Sequence, residues 1–94
     1  MSQENIIGQQ IKIQTDTNLD FQDAKDIAKQ KMKEFSADSM LLSWCNNKTG
    51  EYYPTIKCGS SDKPAWIIWA ESRGGDYTID INDGEWLFVF LSLG

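Results

Sequence analysis

Pro64-Ala65-Trp66-Ile67-Ile68-Trp69-Ala70-Glu71-Ser72, Arg73-Gly74-Gly75-Asp76, Tyr77-Thr78-Ile79-Asp80-Ile81-Asn82, Asp83-Gly84 and Glu85-Trp86-Leu87-Phe88-Val89-Phe90-Leu91-Ser92-Leu93 run in succession and decide the fold. Three apolar, β-branched and aromatic runs are separated by Gly-Gly and Asp-Gly, both strong short-range hairpin signals. The pattern predicts a three-stranded antiparallel meander carrying the core. A two-residue Gly74-Gly75 loop pairs Ala70 with Ile79 and Ile68 with Ile81. The Asp83-Gly84 turn pairs Ile81 with Trp86, Ile79 with Phe88 and Tyr77 with Phe90.

Because side chains alternate along a strand, this register sorts the meander into two faces. One collects Trp66, Ile68, Ala70, Tyr77, Ile79, Ile81, Trp86, Phe88 and Phe90, and is the core face. The other carries Ile67, Trp69, Glu71, Thr78, Asp80, Asn82, Leu87, Val89 and Leu91.

Upstream, Ile11-Lys12-Ile13-Gln14-Thr15 alternates with the period of a half-buried, edge-type strand. A helix is expected from about Leu19 to Phe35. Phe21, Ala24, Ile27, Ala28, Met32 and Phe35 recur at three- and four-residue spacings along one stripe. Asn18, Asp16 and Asp20 are candidate N-caps, and the late lysines suit the negative helix end. Met40 to Cys45 reads as a strand, Asn46 to Gly50 as a turn, and Tyr52 to Cys58 as a returning strand. Pro54 in that strand has no backbone donor and argues for an edge or a bulge.

The fold class that follows is α+β: one amphipathic helix packed on an antiparallel, mostly meandering sheet of five to six strands. The 94 residues are expected to form a single domain, with residues 1–7 a loose lead-in. Five or six strands at roughly 4.8 Å spacing span about 20–25 Å, whereas one helix is about 10 Å across. One helix cannot cover even one face, so Ile67, Trp69, Leu87, Val89 and Leu91 need another cover. Strong curling of the sheet, a crossing strand or a second subunit are the alternatives. Apolar patches on soluble proteins often mark interfaces, so these five residues are the candidate interface of a homodimer.

Composition bounds the function classes. Eleven aromatic residues, four of them Trp, argue against disorder. Nine basic against fourteen acidic residues give a net charge of −5. An acidic surface repels phosphate backbones and anionic lipid heads, so neither nucleic acid nor a membrane surface is an expected partner. The N-terminus has no signal-peptide pattern, and no run reaches the about 20 apolar residues of a membrane span. A cytoplasmic location is expected.

The chain has no histidine, which removes Ser-His and Cys-His catalysis and most zinc sites. A turn over Asn47 to Gly50 sets Cys45 opposite Tyr52 and Cys58 opposite Asp38. That offset puts the two sulfurs beyond disulfide reach and predicts free thiols. No metal and no cofactor are expected.

Four residues are candidates for a ligand site. Asp80 sits mid-strand with Trp69 and Glu71 on the same face, and a carboxylate among apolar neighbours suits acid-base chemistry. The register places Glu71 diagonal to Asp80, and Arg73 is the nearby cation. The plainer explanation is a solvated or Arg-paired surface carboxylate. Asp80-Ile81-Asn82-Asp83-Gly84-Glu85 is similar to a fragment of a calcium loop, but its twelfth position is Leu91 instead of a bidentate Glu. Arg73-Gly74-Gly75 is a candidate anion nest that a tight turn explains equally well. Trp44, Tyr52, Tyr53, Trp66 and Trp69 are candidate pocket aromatics, although aromatics more often fill cores.

Several runs also carry a resemblance: Leu42-Ser43-Trp44, Thr49-Gly50, Tyr53-Pro54, Lys63-Pro64-Ala65-Trp66, Ala70-Glu71-Ser72-Arg73-Gly74-Gly75 and Ile79-Asp80-Ile81-Asn82. Over about Met40 to Phe90 the chain resembles a small uncharacterised prokaryotic domain-of-unknown-function family with an archaeal structural-genomics representative. The resemblance implies a compact α+β domain in a prokaryotic cytoplasm. It carries no catalytic residue, because the family has no established activity.

The functional expectation is a small non-catalytic binding or interaction domain that self-associates through the second sheet face. The alternative is a small-molecule-binding protein or small enzyme using Glu71, Arg73 and Asp80 beside aromatic residues.

Overall fold

A computed structural model describes residues 8–15, 19–53 and 65–93. In chain order the elements are β1 (Gln9–Ile13), α1 (Phe21–Met32), β2 (Ser39–Asn46), β3 (Glu51–Tyr53), α2 (Ala65–Ser72), β4 (Tyr77–Ile81) and β5 (Trp86–Ser92). The five strands form one sheet in the order β1-β4-β5-β2-β3. β4, β5, β2 and β3 pair antiparallel in that order, and β1 joins β4 in parallel.

Helix α1 forms where the three- and four-residue apolar spacing places it. Asp20 caps it, accepting from the Asp23 N–H at 2.8 Å, so the cap falls on one of the three expected candidates. Asp16 and Asn18, the other two, lie outside the described residues, as do residues 1–7, Pro54 and Cys58. Ala24, Ala28 and Met32 are fully buried against Ile11, Ile79, Ile81, Trp86, Phe88 and Phe90. The small residues on the inner stripe let the helix approach the sheet, and Met32 fills the space at its far end. Phe35 falls beyond the last helical turn and is 42% exposed. Its ring packs against that of Tyr77, with centroids 5.7 Å apart.

The meander is half right. The β4–β5 hairpin has the expected register, Ile81 with Trp86, Ile79 with Phe88 and Tyr77 with Phe90. The β2–β3 turn likewise sets Cys45 opposite Tyr52. The one-helix, antiparallel fold is corrected on two counts. Residues 65–72 are a second helix instead of the first meander strand, and β1 makes the sheet mixed.

The reason for the second helix lies in the residues after it. Gly74 has φ +83°, and its N–H donates to the Glu71 carbonyl at 3.1 Å. The Gly75 N–H donates to the Ala70 carbonyl at 3.0 Å. These two bonds make a Schellman motif, which stops a helix by pairing its last carbonyls. Gly-Gly here is a helix stop, not a hairpin loop.

Helix α2 lies on the sheet face opposite α1. Trp66, Ile67 and Ala70, at helical spacing, pack with Leu42, Cys45, Leu87 and Val89 in a second core. Leu42 reaches that face because a β-bulge between Leu41 and Ser43 inserts one residue into β2. Among the described residues, the second face finds cover in a helix of the same chain.

Candidate functional site

Asp80 is on the second face of β4, between Lys12 of β1 and Leu87 of β5 in the ladder. It is only 5% exposed. Its two carboxylate oxygens are both engaged: Oδ2 accepts from Gln10 Nε2 at 2.8 Å, and Oδ1 accepts from the Gly84 N–H at 2.6 Å. The second bond ties the strand to its own hairpin turn. There Asp83 and Gly84 take φ of 55° and 92°, and the Glu85 N–H closes onto the Asn82 carbonyl at 3.3 Å. Positive φ at both central residues is the type I′ geometry that suits a twisted hairpin. Asn47 braces the same turn from the neighbouring strand pair, its Nδ2 donating to the Gly84 carbonyl at 2.7 Å. Asp80 thus latches the edge strand β1 and the β4–β5 turn together.

Trp69, Glu71 and Arg73 are elsewhere. Trp69 and Glu71 lie on α2, and Arg73 follows its last residue. The Arg73 guanidinium stacks over the Trp69 ring, 4.0 Å from its centroid, a cation–π contact across one helical turn. Glu71, two residues from each, is exposed and points from another part of the helix surface. The diagonal between Glu71 and Asp80 required a strand where α2 stands. The four candidates are thus divided between a cation–π pair of exposed Arg73 and half-buried Trp69, a neighbouring carboxylate and a buried latch.

The candidate interface residues divide similarly. Ile67, on the inner side of α2, and Leu87 and Val89 beneath it are buried, while Trp69 of α2 and Leu91 are half-buried. The candidate pocket aromatics are dispersed. Trp44 packs on Phe21 with ring centroids 4.6 Å apart, Trp66 is in the second core, and Tyr52 and Tyr53 are exposed on β3. Cys45 is a free, buried thiol whose pKa burial pushes up to about 11. Among the described residues no group of three or more Cys, Asp or Glu could hold a metal ion.

Sequence reasoning missed a groove. Lys12 and Ile13 of β1 and Asp26, Ile27, Gln30, Lys31 and Glu34 beside them on or after α1 line a cavity of about 510 Å³. Among the described residues, β1 is the last strand of the sheet on this side. Its Gln9 N–H and Ile13 carbonyl bond toward β4, with Asp76 and Asn82. Along a parallel ladder alternate residues aim their backbone groups to opposite sides, so Gln10 and Lys12 present donors and acceptors to the side away from β4. The alternation of Ile11, Lys12 and Ile13 had marked an edge-type strand. Nothing in it showed that α1 would stop short of that edge.

A family model described as a domain of unknown function (DUF5619) matches residues 8–90. The chain belongs to this family. An uncharacterised protein of Archaeoglobus fulgidus is 30% identical over 79 residues, 84% of each chain. The crystal structure of protein AF1514 from the same organism superimposes with a TM-score of 0.79 at 26% identity, covering 94% of this chain and 98% of that one. The family resemblance seen from Met40 onward therefore extends through β1 and α1 as well. Among the described residues no helix is long and apolar enough to cross a membrane.

Proposed function

We propose that this domain is a small non-catalytic interaction module that takes up an extended strand along the open edge of β1. The observation that carries this reading is the outward-facing backbone of Gln10 and Lys12 beside the groove along α1. An exposed edge templates strand addition through main-chain hydrogen bonds, and an adjoining groove gives alternate side chains a place to seat. Ile13 and Ile27 supply its apolar contacts, and Gln30 and the charged residues supply its rim. Asp80 supports the module from behind, because its bond to Gln10 fixes the strand that does the binding.

The test is selection from a displayed library of random octapeptides at low protein concentration. Enriched sequences should alternate apolar and polar residues, and each should lose at least about tenfold in affinity to Lys12→Pro. Proline removes one outward-facing donor while leaving every bond to β4 in place. No enrichment, or binders indifferent to that substitution, would overturn the reading.

A further inference from the structure

We infer that Asp83 is a modification site: its side chain closes onto the Gly84 nitrogen to give a succinimide and then isoaspartate, and the Asp80 carboxylate holds that reaction off in the folded chain.

The sequence supplies the reacting pair. Of the seven glycines, only Gly84 follows an Asp or an Asn. An aspartyl side chain reaches the nitrogen of the next residue, and a glycine there has no Cβ to obstruct the approach. Asp83 is exposed and borders an open cavity of about 380 Å³ that it shares with Lys48 and Glu85, so water has access.

The reaction needs no co-reactant but water. The Gly84 nitrogen gives up its proton and bonds to Asp83 Cγ. The Cγ–OH bond of the acid breaks, and the hydroxyl leaves with that proton as water. Water then adds back to either imide carbonyl. Breaking the bond from nitrogen to Cγ restores aspartate. Breaking the bond from nitrogen to the main-chain carbonyl carbon leaves the chain running through Cβ and Cγ, which is isoaspartate. Nothing is oxidised or reduced, and the mass is unchanged.

The fold opposes the first step at the nitrogen itself. The Gly84 N–H donates to Asp80 Oδ1 at 2.6 Å. Removing its proton would set a negative nitrogen against a carboxylate oxygen in place of a charge-assisted bond. The Gly84 carbonyl accepts from Asn47 Nδ2 at 2.7 Å, so the residue is pinned on both sides. Asp80 is in turn held through Oδ2 by Gln10 and is buried, which keeps the guard in place. Isoaspartate would add one main-chain carbon to this turn. Neighbouring Asn82 donates its N–H to the Ile13 carbonyl and accepts from the Thr15 N–H, both at 2.8 Å, so the longer turn loosens the end of β1.

The test holds the wild-type chain, Asp80→Ala, Asp80→Asn and Ile67→Ala under one native condition. Isoaspartate at position 83 is followed by peptide mapping with electron-transfer fragmentation. A synthetic peptide of residues 78–88 supplies the unguarded rate. The wild-type chain should isomerise about tenfold or more slowly than the peptide, and Asp80→Ala should recover about tenfold or more, as for loss of a bond to a charged acceptor. Asp80→Asn keeps an oxygen that accepts from Gly84 and should stay within about threefold of the wild-type chain. Ile67→Ala weakens the second core and leaves the guard intact, so it should lag behind Asp80→Ala.

A peptide that does not isomerise, or a wild-type chain as fast as the peptide, would overturn the inference. So would Asp80→Ala at the wild-type rate, or Asp80→Asn or Ile67→Ala at the rate of Asp80→Ala. If Asp80→Ala fails to fold, Asn47→Ala decides. It frees the Gly84 carbonyl and should raise the rate about threefold or more, and an unchanged rate would overturn the inference. In the isomerised chain, separated by chromatography, the Thr15 and Asn82 amides should exchange faster; unchanged exchange would overturn the effect on β1.

Discussion

Gly74-Gly75 and Asp83-Gly84 carry the same sequence signal and end in opposite structures. Each follows an apolar, β-branched run, and each includes a glycine at positive φ, Gly74 at 83° and Gly84 at 92°. Around Gly74 the N–H groups turn back onto the carbonyls of the preceding run and close a helix. Around Gly84 the turn bonds across itself, and the chain returns along its own strand. The difference is set before the glycines. Ile79-Asp80-Ile81 alternates apolar and polar residues, as a strand must when its faces meet different surroundings. Trp66 to Ala70 is apolar without a break, a pattern that a buried strand and a short helix buried on one side share. A Gly-Gly pair resolves neither.

The largest expected effect breaks this comparison most directly. If Trp66 to Ala70 is a helix, Ile67 is buried and Ile68 only half-buried; the strand register instead put Ile68 in the core opposite Ile81. Ile67→Ala should lower the unfolding free energy by about 2–5 kcal/mol, and Ile68→Ala by about 1 kcal/mol or less. Urea denaturation of the two variants measures both. The reverse order would restore the strand.

Next come substitutions at the two turns. A Cβ on Gly75 would lie 2.8 Å from Val89 Cγ1 and 3.3 Å from both the Ala70 carbonyl oxygen and Leu42 Cδ1. All three belong to the packed second core or its helix, so Gly75→Ala should cost about 1–3 kcal/mol through overpacking. At the hairpin the comparable loss is Asp80→Ala. It strands the Gly84 N–H and the Gln10 amide, at a cost of about 1–3 kcal/mol. The two variants should differ in where the damage spreads. Amide exchange should quicken in β1 and the 82–85 turn for Asp80→Ala, and around α2 for Gly75→Ala. Exchange that quickens uniformly in both would mean that the two turns are not separate supports.

Smaller again is the purely conformational term. A Cβ at Gly74 meets nothing within 4 Å, so Gly74→Ala should cost only the about 1–2 kcal/mol of placing an L-residue at positive φ. Asparagine tolerates that region better, so thermal melts should rank Gly74→Asn between glycine and alanine.

The sequence disclosed the parts of this fold whose residues decide their own surroundings. The helical stripe of Ala24, Ala28 and Met32, the Asp20 cap and the Asp83-Gly84 register could be read because each is local chemistry with one good solution. The partition of β4 and β5 into two faces was legible for the same reason. The second helix was not, since two Trp and two Ile favour a strand and only packing against Leu87 and Val89 makes the helix better. The separation of Asp80 from Glu71 and Arg73 follows from that one exchange of strand for helix. Parallel addition of β1, and with it the open edge, depends on contacts about 70 residues apart in the chain, such as Gln10 with Asp80. No local pattern encodes them.

The smallest effect concerns what the Gly74 stop makes possible, a second core that shelters a thiol. Burial raises the Cys45 pKa from 9.0 to about 11. The folded chain therefore holds this proton at pH values where the unfolded chain releases it. Stability from the group is fully present below pH 9 and is lost as pH rises toward about 11. Comparison with Cys45→Ala isolates the contribution of this thiol. The difference in unfolding free energy between the two proteins should be flat below pH 9 and shift against the wild-type chain above it. Alkylation mapped by mass spectrometry supplies the second readout: Cys45 should react only as fast as the second core opens, and Gly75→Ala should accelerate it. Rapid labelling of Cys45 in the wild-type chain would show that α2 does not seal the second face, and the contrast between the two glycine turns would lose its consequence.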